Sequence, residues 1–208
     1  MKFSKLEKTI VTNLWVNDTK AVVDALSKMT RKDIKIIKCS FKKVRANRVP
    51  IFLNPKELSF FLSYNKITGA INGVVAIACS LEDILKLADI LIHKKIGYYT
   101  ALSEENLPVI RELTNILQGY YLTSLLNIFG TEINWEGPFI STNAYRAVED
   151  FDFGPIYIEK IYVFMFYAKL LFKDEKIKFQ ALLFFKDVDI RQLLDKIAQK
   201  IQKPQLFD

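Results

Sequence analysis

One succession of apolar patterns runs along this chain twice, and few folds can accommodate it. Residues 5–29 carry Leu6, Ile10, Leu14, Val22, Leu26 and Met29, mostly at helical spacing. Strand-like runs follow at Ile34–Ile37, Val49–Leu53, Leu58–Tyr64 and Val74–Cys79. Ser80 and Asp83 then form a Ser-x-x-acid capping pattern that opens a helix to about Leu91. The series restarts near Ser103 with a helix to Phe129 whose buried stripe is Ile110, Leu113, Leu117, Tyr121 and Ile128. Strands are predicted at Glu132–Trp135, Ala144–Asp150, Ile156–Leu171 and Ile177–Phe185. A closing helix starts after Asp187 and runs through Leu193, Leu194 and Ile197.

Two registers align the copies. An offset of 99 places Leu26 on Leu125, Met29 on Ile128 and Ile34 on Ile133, and an offset of 107 places Val75 on Leu182, Ile77 on Phe184 and Leu87 on Leu194. About eight extra residues therefore fall in the second copy's strand region, where a loop absorbs them at little cost. The expectation is an α+β fold: an internally duplicated helix–antiparallel strands–helix unit in one domain over 1–208, with halves 1–99 and 100–208. A duplicated chain supplies internally the two-fold partner that a half-length homologue gains by dimerising, so a monomer is expected.

Composition narrows the function classes. Half of the residues are hydrophobic, with 16 Phe and 9 Tyr, which excludes a disordered chain. His93 is the only histidine, so His-based metal sites and Ser-His-Asp triads are nearly excluded, and no metal site or cofactor of its own is expected. Cys39 and Cys79 lack metal or redox spacing and suit a reducing compartment. The greasy stretch Ile161–Phe172 is interrupted by Lys169 and is too short to span a bilayer. No apolar segment follows the basic N-terminus before Asn13, so a cytoplasmic protein is expected.

Charge is uneven: residues 1–99 hold 18 Lys and Arg against 8 Asp and Glu, and the remainder 12 against 15. The excess gathers at Arg31, Lys32, Lys35, Lys38, Lys42, Lys43, Arg45 and Arg48. Its ordinary reading is the wet face of a strand pair; its functional reading is a patch for an anionic partner. No aromatic-interleaved motif accompanies it, so nucleic acid is not an expected partner.

The informative segment is Glu112-Leu-Thr-Asn115-Ile-Leu-Gln-Gly119-Tyr-Tyr, followed by Gly137-Pro138. On a helix, Glu112, Asn115 and Gly119 stack on one face, opposite the apolar stripe and so in water. Glycine inside a helix costs roughly 1 kcal/mol against alanine, so another backbone or a partner is expected to approach Gly119 closely. The ordinary alternative is a solvated Glu and Asn beside an incidental glycine.

The spacing of Glu112, Asn115 and Pro138, with Asn115-Ile116 leading to Gly119, resembles the signature of the CheC/CheX/FliY family of chemotaxis phosphatases. The order of elements is similar to CheC over nearly the whole chain. Pro108 stands where the family has Asp or Ser, and Thr114 where Gly is common. The first copy has Asn13, Val16 and Cys39 in place of Glu112, Asn115 and Pro138, so one site is retained.

The resemblance implies hydrolysis of the aspartyl-phosphate of a CheY-type response regulator. Asn115 would orient the water, Glu112 would dock the regulator's lysine, and Mg2+ would reside in the regulator. Gly119 and Pro138 are then partner-binding positions, with Pro138 shaping a strand end. The competing reading is a non-catalytic adaptor for a CheD-like receptor deamidase or a flagellar switch component.

Overall fold

The computed structural model describes residues 5–53, 59–151 and 162–202. In chain order the elements are α1 (Lys5–Thr30), β1 (Ile34–Arg45), α2 (Val49–Leu53), β2 (Phe60–Gly69), β3 (Gly73–Ser80) and α3 (Leu81–Leu91), then α4 (Leu107–Phe129), β4 (Ile133–Ser141), α5 (Ala144–Asp150), β5 (Tyr162–Phe172), β6 (Lys178–Lys186) and α6 (Asp187–Gln202). The six strands form one antiparallel sheet in the order β1-β5-β6-β3-β2-β4. Exchanging β1, β2 and β3 with β4, β5 and β6 turns that order into its own reverse.

The apolar runs of β3 and β6 follow from their central place in the sheet. Every residue from Gly73 to Cys79 is buried, because both faces of the sheet are covered. One face packs beneath the long helices, where Val22 and Leu26 of α1, Leu87 of α3, Leu113 and Leu117 of α4 and Leu193 of α6 share a core. The opposite face is covered by α2 and α5, through Val49, Ala144, Ala147 and Val148.

These two short helices correct the sequence reading, which expected strands at Val49–Leu53 and Ala144–Asp150. Pro50 cannot donate to a strand ladder but is tolerated in a helix's first turn. In α5 the buried residues Ala144, Ala147 and Val148 are spaced for one helical face, and Asn143 Oδ1 accepts from the Arg146 N–H at 3.0 Å as an N-cap. Leu58 and residues 156–161, also expected as strand, lie outside the described residues, as does the Leu6 side chain.

Ser80 caps α3 as its pattern predicts, accepting from the Asp83 N–H at 3.0 Å. The link from α3 to α4 is pinned by buried Asp89, whose carboxylate accepts from the backbone N–H groups of Gly97, Tyr98 and Tyr99. Asn106, buried before α4, ties that helix start to the Ala101 carbonyl and the Ser103 N–H. The basic excess maps onto β1, an edge strand exposing Lys35, Lys38, Lys42, Lys43 and Arg45. Lysine along an open edge discourages pairing with another chain's strand. No described helix is long and apolar enough to cross a membrane.

Candidate functional site

Helix α4 carries the candidate residues because its two faces differ in kind. Ile110, Leu113, Leu117, Tyr121 and Leu125 are buried, whereas Arg111, Glu112 and Asn115 are exposed. Glu112 and Asn115 stand one turn apart, and among the described residues neither side chain has a hydrogen-bond or ion-pair partner. Both are available to another molecule.

Strand β4 approaches the same helix. Arg111 Nη1 donates to the Pro138 carbonyl at 2.9 Å, across the cis Gly137–Pro138 peptide. Gly137 has φ +129°, and a Cβ there would meet Asn65 Oδ1 at 2.7 Å and the Tyr64 carbonyl at 2.8 Å. That crowding coincides with the register shift between β2 and β4 at Tyr64 and Lys66.

Behind the exposed face lies a buried polar network that the sequence reading missed. Ser63 Oγ donates to Thr114 Oγ1 at 3.0 Å. Thr114 Oγ1 in turn donates to the Ile110 carbonyl at 3.0 Å. Gln118 Nε2 donates to the Ser63 carbonyl at 2.8 Å, and Asn65 Nδ2 donates to Gln118 Oε1. All four side chains are buried, and each one orphaned would cost about 1–3 kcal/mol. Thr114 and Gln118 immediately precede Asn115 and Gly119, so the network fixes the rotation and depth of the helix that presents the site. The sequence carried each half separately, Ser63 and Asn65 alternating with apolar residues in β2 and Thr114 and Gln118 sharing a helix face, but not their pairing.

No protein-family model and no curated protein sequence matches the chain. Solved structures do. The X-ray structure of Thermotoga maritima FliY aligns at TM-score 0.67 and 16% identity, over 96% of this chain and 100% of that one. A chain of the FliG–FliM complex from H. pylori aligns at TM-score 0.65 and 9% identity, over 93% of this chain and 100% of that one. A chain of the CheX–CheY–BeF3–Mg2+ complex from Borrelia burgdorferi aligns at TM-score 0.51 and 14% identity, over 82% of this chain and 96% of that one. The fold is CheC-like.

Within this CheC-like fold, the first-half positions at an offset of 99 from the network are Trp15 and Thr19. The Trp15 ring lies tilted, with its centroid 5.0 Å from that of Phe166 and 6.0 Å from that of Tyr121, and Thr19 meets the Tyr121 hydroxyl at 3.1 Å. Aromatic packing thus occupies the place that buried amides and hydroxyls hold under α4. Asn13 is exposed there, and Val16 and Cys39 are half-buried.

At Gly119 the structure separates the two alternatives, another backbone of this chain or a partner. Among the described residues, no atom outside its own stretch of helix lies within 4 Å of the position its Cβ would take, so no other described backbone approaches it. The glycine borders an open groove between α1 and α4 lined by Asp18, Ile116, Tyr120, Thr123 and Ser124. Gly119→Ala is expected to stabilise the fold by about 1 kcal/mol, through helix propensity alone. Urea unfolding measures this; a destabilised variant would show an internal need for glycine.

Asp18 gives the groove a pH dependence. Burial raises its carboxyl from 3.8 to about 6, against the lowering effect of a Ser124 hydrogen bond, and its Oδ2 is buried without a hydrogen-bond partner among the described residues. The folded-state value lies above the unfolded one, so the fold prefers the protonated acid. Stability should therefore fall as pH rises from about 4 to about 6 and change no further from this group above that. Asp18→Asn is expected to stabilise the protein at neutral pH by about 1–2 kcal/mol, after discounting for partial exposure, and to give no advantage below about pH 4. Equal gains at both pH values in urea titrations would refute the assignment.

Proposed function

We propose that this chain accelerates hydrolysis of the aspartyl-phosphate of a CheY-type response regulator. The observation that carries the reading is Glu112 and Asn115, exposed and unpartnered one turn apart on a helix whose rotation is locked from behind. In the reaction a water oxygen forms a bond to phosphorus while the aspartyl oxygen–phosphorus bond breaks, releasing inorganic phosphate and restoring the carboxylate. Mg2+ bound in the regulator would neutralise developing charge, and what remains for this chain is to hold the water in line. A carboxamide suits that task, since its oxygen accepts from the water and its NH2 donates to a phosphoryl oxygen.

Glu112 would pair with the regulator's lysine and set the register, and the open face at Gly119 would admit the regulator's surface. Pro138 would shape the strand end beside Asn115. The CheX–CheY pairing in one structural neighbour supports a regulator as partner. The basic β1 edge would steer an acidic receiver, an effect on association rate that salt reduces.

A second reading, a non-catalytic adaptor, is favoured by the likeness to a chain of the FliG–FliM complex and by the absence of a Glu–Asn pair from the first half. The two separate in one experiment. A purified regulator is phosphorylated with acetyl phosphate and Mg2+, and phosphate release is followed with and without this chain. The phosphatase reading predicts faster release; an adaptor binds the regulator and leaves the rate unchanged.

A further inference from the structure

Arg111 stands one helical turn before Asn115, at i and i+4, which places their Cβ atoms about 6 Å apart on the same exposed face. Its guanidinium is held in place, because Nη1 donates to the Pro138 carbonyl at 2.9 Å. Among the described residues it has no carboxylate partner and no second acceptor. The position one turn earlier on this helix, Pro108, offers no side-chain acceptor either. A guanidinium has five N–H donors in a rigid fork. One is spent on a backbone carbonyl, and the others have no acceptor among the described residues. A positive charge so close to Asn115 has little use against an uncharged surface. Against three phosphoryl oxygens it has a large one.

We propose that Arg111 contacts the phosphoryl oxygens of the docked regulator, so that this chain prefers the phosphorylated form and stabilises charge on the transferring group. The proposal rests on the phosphatase reading for its rate effect, but its binding preference can be tested without turnover. Anchoring by Pro138 means little side-chain entropy is lost on contact, which favours a fixed arginine over a free lysine.

The test compares wild type, Arg111→Ala and Arg111→Lys by titration against a regulator with Mg2+ alone and with Mg2+ and beryllofluoride, together with phosphate release at saturating regulator. Wild type is expected to bind the beryllofluoride form more tightly. Arg111→Ala should abolish that preference, leave affinity for the bare regulator within about twofold, and slow release by about 10–100-fold. Lysine can still reach the Pro138 carbonyl but lacks the fork, so Arg111→Lys should keep the wild-type melting temperature and recover only part of the rate. A purely structural role instead predicts wild-type behaviour from Arg111→Lys. Wild type with no preference for the beryllofluoride form, or Arg111→Ala weakening both forms equally, would overturn the proposal. A wild type that prefers the charged form without accelerating release would leave Arg111 supported and remove the phosphatase reading.

Discussion

Asn115→Ala is expected to slow phosphate release from a phosphorylated regulator by about 10²–10³-fold, the usual loss when one transition-state positioning group is removed. Asn115 is exposed and has no partner within the described chain, so the fold should lose nothing beyond about 0.5 kcal/mol. Affinity for a beryllofluoride-charged regulator should change far less than the rate, because one hydrogen bond to the phosphoryl group is a small part of the docking surface while holding the water is the catalytic task. Asn115→Asp should not rescue: it keeps an acceptor, loses the NH2 donor and sets a negative charge against the phosphoryl group. Wild-type release from Asn115→Ala in a stopped assay for inorganic phosphate would remove Asn115 from the mechanism.

Gly137→Ala should be the most damaging single-methyl change near the site, by about 3 kcal/mol or more. The φ of +129° is disfavoured for any side chain, at a cost of order 1–3 kcal/mol. The added Cβ would also sit 2.7 Å from Asn65 Oδ1, 2.8 Å from the Tyr64 carbonyl and 3.1 Å from the Phe139 nitrogen. Two of those are backbone atoms of paired strands and cannot swing aside. Asn65 can move only by giving up Gln118, so the damage passes into the network beneath α4. A fall in melting temperature of about 6–12 °C is expected, with a loss of activity out of proportion to the unfolded fraction. An unchanged melting temperature would mean that β4 can shift away from β2 without cost.

The sequence reading attached a role to Gly119 and named Gly137 only as the neighbour of Pro138, yet the structure gives them opposite characters. One is crowded by its own chain and the other faces open space. A sequence shows that a glycine is present; only packing shows whether it is required from inside. The long helices were legible because their apolar stripes persist over several turns, and β3 because both of its faces are buried. At α2 and α5 the same reasoning failed. A run of five to seven residues holds too few turns for helical and strand periods to separate, and Asn143 as a cap was the decisive overlooked signal. Glu112 and Asn115 were found through their spacing, whereas Arg111 was passed over because one arginine on a wet helix face looks ordinary until its bond to Pro138 is seen. The hidden Ser63–Asn65–Thr114–Gln118 network required knowing that β2 runs beneath α4, a pairing of residues more than fifty positions apart.

The most direct test sets a small amount of this chain against a large molar excess of phosphorylated CheY-type regulator and follows inorganic phosphate. Release far exceeding one phosphate per molecule of chain, at a rate proportional to its concentration, is predicted. Release no faster than the regulator's own, with a complex nonetheless detected, would contradict catalysis by Asn115 and leave a binding protein.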